Sequence, residues 1–384
     1  MVEKLNTMLD SESHFAPNTI GTENILIYGI EMFEKMVSFR EFLQLRLRPL
    51  TENLSQTMRD AEYLSEVVLL LAGYQEEGIN LFPVIFITEN QDHLTTFLSA
   101  KEMLSIGSGP VHRDTLNRAF KHCAPLAEDR LWAVYILIDG GMMRYGIFRS
   151  DSSPLAPTVF ERLRNLREIG SSIVGLTRLG GNFVEIRTST GLHQYINVSG
   201  SDEDDYHPGR VIRDFVDCVA QDAPAHLKPM LESFYYRVGM DVMHGSHGSL
   251  IGILKRGQKI PDILEDGIHL TPGVNVLGAI QSIVGAASEE RDAYLRLFSY
   301  SLLLRKLTWM DGITLVDTEG NILAYNCFIK ISALRPQDAI IGGARRRAFE
   351  HMQNLVPAHL SGCLYKSQDG HIEFKGESRG VAVS

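Results

Sequence analysis

The sequence predicts an α/β protein of two domains. Short apolar runs, LFPVIFIT at 81–88, LWAVYILID at 131–139 and SLIGILK at 249–255, have strand length and bulky β-branched or aromatic content. Segments with apolar residues at helical spacing alternate with such runs, which is the pattern of the α/β class. At 384 residues the chain exceeds what one core usually organises, so two domains are expected.

Residues 22–75 read as helical, with a break near Pro49. A strand follows at 81–88, then a helix over 88–104 with its cap at Thr88 or Asn90. RDTLNRAFKHCAPLA at 113–127 is another helix. LWAVYILID and MRYGIFRS form a hairpin around Gly140-Gly141. A helix is expected over 157–172. NFVEIRTST and HQYINVSG make a second hairpin around Gly191. GSDEDDYHPGR at 200–210 combines an acidic run with Pro-Gly and reads as the linker. The expected domains are therefore 1–200, mixed α/β and sensory or regulatory, and 201–384. Helices are expected over 211–236, broken around Pro224 and Pro229. Tyr300, Leu302, Leu303, Leu304 and Leu307 mark a further core helix.

Lys and Arg number 37 against 47 Asp and Glu, a net charge of −10, which argues against nonspecific binding of nucleic acid. The longest apolar runs, VVLLLAG and LWAVYILI, fall far short of the roughly 18 residues of a membrane span. MVEKLNTMLDSESH does not read as a signal peptide. Cys123, Cys218, Cys327 and Cys363 are widely spaced, and Cys327 and Cys363 read as reduced core thiols. These features give a cytoplasmic expectation.

Residues 308–376 carry the chemistry. Asp311-Gly312 opens the strand ITLVD, and Thr318-Glu319-Gly320-Asn321 turns it into ILAY. Ala348, Phe349, Met352 and Leu355 then mark an amphipathic helix whose first turn holds Arg345, Arg346 and Arg347. Three cations there oppose the positive end of the helix dipole unless an anion sits among them. Gly342 and Gly343, just before, let the backbone approach a ligand with its N–H groups. A bound phosphate satisfies this pattern; a solvated basic surface with buried Arg stems is the other reading. A carboxylate at a strand end, Asp311, suits magnesium or manganese, although Asp-Gly also marks a plain turn.

The order of these motifs resembles the diadenylate cyclase (DAC) domain family, whose pattern is Asp-Gly-Ala, then Gly-Thr-Arg-His-Arg-Ala, then Ser-Glu-Glu-x-Gly-x-Ile. Asp311, Gly312, Gly343, Arg345, Arg347 and Ser367 match it. Ile313, Ala344, Arg346 and Gln368 depart from it. HGSHGSLIGILK at 244–255 is similar to the family's first core strand, and EDGIHLTPGVNVLGAI at 265–280 to its next segment. The likeness spans roughly 240–376.

The resemblance implies a C-terminal mixed β-sheet flanked by helices, similar to the DAC fold. It implies a nucleotidyltransferase that condenses two ATP into cyclic di-AMP or a related cyclic dinucleotide at the interface of a homodimer. Asp311 and Gly312 would be catalytic, with Asp311 holding Mg2+ or Mn2+. Gly342, Gly343, Arg345, Arg346, Arg347 and Ser367 would bind nucleotide. The chain also resembles divergent DAC-like sensor domains, which bind a nucleotide messenger without making one; Ala344 and Gln368 fit that alternative. His244 and His247, three apart, read as metal ligands, as a polar pocket rim or as a structural turn. Asp139-Gly140 repeats the Asp-Gly pair but lacks a following Gly-x-Arg-x-Arg, so it reads as a turn.

Overall fold

The computed structural model describes residues 39–51, 61–127, 131–149, 155, 158–163, 172–179, 183–198, 208–244, 247–285, 290–330, 343–368 and 370–377. The class is mixed α/β, as the sequence predicts. Helices α1 (Phe39–Thr51) and α2 (Ala61–Gly73) come first. Helix α1 does not stop at Pro49 but carries it in its last turn, where a missing N–H removes a single hydrogen bond. Packing divides the chain at residue 46, and Leu47–Ser384 form one unit that holds both large sheets. The expected boundary at 200/201 falls between those sheets in sequence; residues 199–207 lie outside the described residues.

A ribbon of β1 (Gln75–Glu76) and β2 (Ile79–Asn80) precedes the first large sheet. That sheet contains β3 (Val84–Thr88), β4 (Glu102–Pro110), β5 (Trp132–Asp139), β6 (Met142–Arg149), β7 (Ile173–Leu179), β8 (Phe183–Thr188) and β9 (His193–Asn197). Its order is β4-β6-β5-β3-β7-β8-β9, with β3 and β5 parallel. Between the strands run α3 (Gln91–Leu98), α4 (Arg113–Cys123) and α5 (Val159–Arg162). Asn90 caps α3 by accepting from Asp92 N, while Thr88 Oγ1 donates to Ser172 O, so of the two expected caps Asn90 is the one used. Gly140 and Gly141, at φ +53° and +83°, form the two-residue β5–β6 loop, so Asp139-Gly140 is a turn. Strand β4 corrects the sequence reading, which ran helix α3 through Leu104. Ser99 ends α3 in the left-handed conformation, and β4 is a largely exposed edge strand without apolar alternation.

The second sheet contains β10 (Ser249–Leu254), β11 (Leu264–Glu265), β12 (Ile268–Asn275), β13 (Ile313–Asp317), β14 (Asn321–Ile329), β15 (Gly362–Lys366) and β16 (Ile372–Gly376). The order is β11-β14-β13-β10-β15-β16, with β12 also on β14. Helices α6 (Pro208–Val219), α7 (Lys228–His244), α8 (Val276–Gly285), α9 (Glu290–Trp309) and α10 (Ala344–Leu355) accompany it. The side chains alternate as a doubly covered sheet requires. Leu250, Leu254, Ile313, Leu315 and Tyr365 pack with Phe349 and Met352 of α10. Ile251, Ile253, Val316 and Leu364 face the opposite layer, with Phe215, Tyr235 and Leu304 from α6, α7 and α9. Tyr235 is fully buried and its hydroxyl donates to Gly320 O at 2.8 Å, fixing the β13–β14 turn.

The two sheets share one topology. Strands β3, β4, β5, β6, β7 and β8 correspond in chain order to β10, β12, β13, β14, β15 and β16. In each set the first and third strands are parallel, and every other pairing is antiparallel in the same spatial order. A helix separates the fourth strand from the fifth in both, α5 in one and α10 in the other.

Strand β8 carries a buried charge network. Arg187 Nε donates to Glu185 Oε1 at 2.7 Å, and His193 Nε2 lies 2.7 Å from the same oxygen. Burial opposes ionisation of Glu185, but the His193 hydrogen bond and the Arg187 charge outweigh it and hold the carboxyl below the usual carboxylate range. The depressed pKa stabilises the fold fully above the unfolded value near ~4.3, and that contribution is lost as pH falls through the folded value. Glu185→Gln leaves Arg187 buried without its counter-charge and is expected to cost about 3–5 kcal/mol at neutral pH. Denaturant unfolding at pH 7 and below pH ~4 checks this: the gap between wild type and variant narrows in acid.

Candidate functional site

The parallel register of β10 and β13 pairs Ile251 with Thr314 and so brings the starts of both strands to one end of the sheet. Strand β15 runs the other way, pairing Lys366 with Ser249, so its end arrives at the same place. Four chain segments therefore meet there: His247-Gly248 before β10, Asp311-Gly312 before β13, the first turn of α10, and Lys366-Ser367.

Arg345 joins them. Its Nη2 donates to Asp311 Oδ1 at 2.6 Å. The Arg345 side chain is 34% exposed and that of Asp311 83%. A Cβ on Gly248 would lie 3.1 Å from Arg345 Cδ and 3.0 Å from Lys366 O, so the glycine gives the arginine stem its passage. Gly312 sits at φ +82°, and a Cβ there would stand 2.8 Å from Cys327 O, so only glycine fits the entry to β13. Lys366 is 1% exposed and its Nζ donates to His247 O at 3.0 Å and Ser367 O at 3.3 Å. That amine ties the starts of two segments together. Ser367 Oγ accepts from His371 N at 2.9 Å and so closes the β15–β16 turn.

Gly343 is the N-cap of α10 and provides no side-chain cap for the helix's first N–H groups. Gly342 lies outside the described residues. The three arginines diverge. Arg346 turns to the sheet, where it pairs with Glu350 and Glu373 and lies over the rings of Phe349 and Tyr365. Arg347 is exposed, roughly 200° around the helix from Arg345. Asp311, Gly312, Gly343, Arg345 and Ser367 thus come together at one sheet end, and Arg346 does not join them.

No protein-family model, curated protein or solved structure matches the chain.

A divalent cation at this end would find one carboxylate, Asp311, and no group of three His, Cys, Asp or Glu gathers among the described residues. Magnesium keeps most of its ligands as waters and phosphate oxygens, so one carboxylate is a workable donor beside a nucleotide. Asp311 Oδ1 already faces Arg345.

His244 is no partner of this cluster. It is buried, with Nε2 3.3 Å from Thr177 Oγ1 and Nδ1 against Met240 O, so it links α7 to β7. His247 stands apart from it, its ring 6.1 Å from that of Trp309. Sequence reasoning missed Lys366, which helps organise the cluster; a lysine ending an apolar strand was the available signal.

All four cysteines are free and buried, and burial pushes the Cys327 thiol up to about 11 and the Cys363 thiol up to about 12. Cys327 and Cys363 are core thiols, as expected, and Cys123 and Cys218 are buried too. Among the described residues, no helix is long and apolar enough to cross a membrane.

Arg346→Ala is expected to destabilise the fold by about 1 kcal/mol through its partly exposed ion pairs, and Arg345→Ala, whose one ion pair is more exposed, by less. Thermal unfolding of both variants checks this.

Proposed function

We propose that this chain is a cytoplasmic nucleotide-binding protein of the DAC-like type, a sensor that takes a phosphate-bearing nucleotide at the end of the second sheet. The observation that carries the reading is Arg345. Among the described residues its guanidinium is held by one exposed carboxylate, beside a helix N-terminus whose N-cap glycine gives no side-chain cap. Asp311 acts as a place-holding anion. An arriving phosphate takes over the guanidinium, which binds phosphate in two-point fashion, and accepts from the N–H groups following Gly343. Asp311 is released toward solvent or toward a divalent cation, which supplies positive charge that polarises the phosphates. Arg347, on the exposed side of the same turn, adds long-range attraction for the ligand.

A second reading, a metal-dependent cyclase that condenses two ATP in a homodimer, is favoured by the exposure of Asp311, which lets it face a nucleotide on an opposed subunit. The sensor is preferred because, among the described residues, the one carboxylate of the cluster is committed to Arg345, and Arg346 is committed to Glu350 and Glu373.

Incubation with ATP and manganese, followed by mass spectrometry, separates the two readings. The sensor leaves ATP unconverted while ATP or cyclic di-AMP binds. In calorimetry, Arg345→Ala with Arg347→Ala weakens that binding, each contact contributing about 1.5–3 kcal/mol. A cyclic dinucleotide product that disappears in Asp311→Asn would establish the cyclase instead. Unchanged affinity in a folded double variant would remove the phosphate role from both.

A further inference from the structure

The first sheet has a cavity at the place where the second sheet has its candidate site. That site is built from the starts of β10 and β13, the end of β15 and the start of α10. The shared topology makes their counterparts the starts of β3 and β5, the end of β7 and the start of α5. Val84 opens β3 and pairs with Thr177 of β7, as Ser249 pairs with Lys366. Leu131 precedes β5, and Thr158 caps α5 with Glu161 in a reciprocal capping box. These residues line a cavity of about 280 Å3. Helices α7 and α9 cover it with Tyr236, Arg237, Met240, Phe298 and Arg305.

The lining is largely apolar, with Val84, Phe160, Met240, Phe298 and Leu302. Its arginines are not equivalent. Arg187 is paired with Glu185 and lies over the Phe160 ring. Arg237 is opposed by Asp241 and Glu161. Arg305 has no ion pair among the described residues; its Nε is buried without a hydrogen-bond partner, and its guanidinium lies 5.2 Å over the Trp309 ring. A guanidinium held over a ring face can still offer N–H donors at its edge to an acid group. An unpaired cation beside apolar walls is costly until an anion reaches it.

We propose that this cavity is a second ligand site, distinct from the nucleotide site, for a small aryl acid whose acid group pairs with Arg305 and whose ring fills the apolar walls. A volume just under the usual range of about 300–1,000 Å3 for ligand pockets admits one ring with a short acid chain. Trp309 reports on the site, since Arg305 lies over it. It also ends α9, two residues before Asp311.

The test uses the full chain carrying Trp132→Phe, which leaves Trp309 as the sole tryptophan. Phenylacetate is titrated by fluorescence and calorimetry, with acetate and benzyl alcohol as the acid-only and ring-only controls. Phenylacetate is expected to saturate, to shift Trp309 emission and to raise the melting temperature, with both controls roughly tenfold weaker or more. Arg305→Gln should weaken phenylacetate about tenfold or more, Arg305→Lys should retain part of the affinity, and Arg345→Ala should change nothing. That last variant separates this site from the nucleotide reading. No saturable response to phenylacetate, equal binding of acetate, or full affinity in Arg305→Gln would overturn the proposal.

Discussion

The parallel pairing of β10 with β13 is the constraint on which the rest of the second sheet depends. Parallel neighbours begin at the same end of a sheet, so the register Ile251–Thr314 brings two loop-borne motifs, sixty-odd residues apart in sequence, to one end. Antiparallel β15 then delivers its last residues to that end, and α10, packed by Phe349 and Met352 over β10 and β13, presents its first turn there. Because both faces of these strands are covered, a slip of one residue would move Leu250 and Leu254 from the α10 face to the α7 face, so the register is strongly held. The site is thus a consequence of core packing, and its exposed charges contribute little to the fold.

That division of labour explains the arginine cluster. An ion pair as exposed as Asp311–Arg345 is worth roughly 0–1 kcal/mol. Arg345 also stands at the unfavourable end of the α10 dipole. An arginine held weakly, in a place that repels it, is available to a better anion. Arg346 shows the contrast: two carboxylates and two rings engage it, and its guanidinium is raised by the Glu373 hydrogen bond. One run of three arginines therefore splits into one engaged by two carboxylates and two rings, one held by an exposed ion pair, and one exposed.

Most of the strands and helices were legible because their apolar spacing is regular. The hairpins at Gly140-Gly141, Gly191 and Gly320 announced themselves through glycines that take positive φ. Strand β4 was not legible, since an exposed edge strand needs no apolar alternation. Asp311, Gly312 and Arg345 could be picked out by residue type and order. The role of Lys366 could not, although a lysine ending an apolar strand marks the position, because it rests on backbone carbonyls that the fold brings within reach. Nor could the divergence of Arg345, Arg346 and Arg347, which depends on Glu373 arriving from β16. The repeated topology was hidden as well: Asp139-Gly140 looks like Asp311-Gly312 but closes a hairpin, so the similar dipeptides occupy different places in two similar sheets.

Two sheets of one topology thus carry two differently finished ends, one charged and exposed, the other roofed by α7 and α9. The central claim is that Arg345 exchanges a protein carboxylate for a ligand phosphate. A crystal structure with ATP soaked in tests this most directly. The account predicts a phosphate oxygen within hydrogen-bonding reach of the Arg345 guanidinium and the N–H groups after Gly343, with Asp311 no longer its partner. ATP bound elsewhere, with the Asp311–Arg345 pair intact, would contradict it.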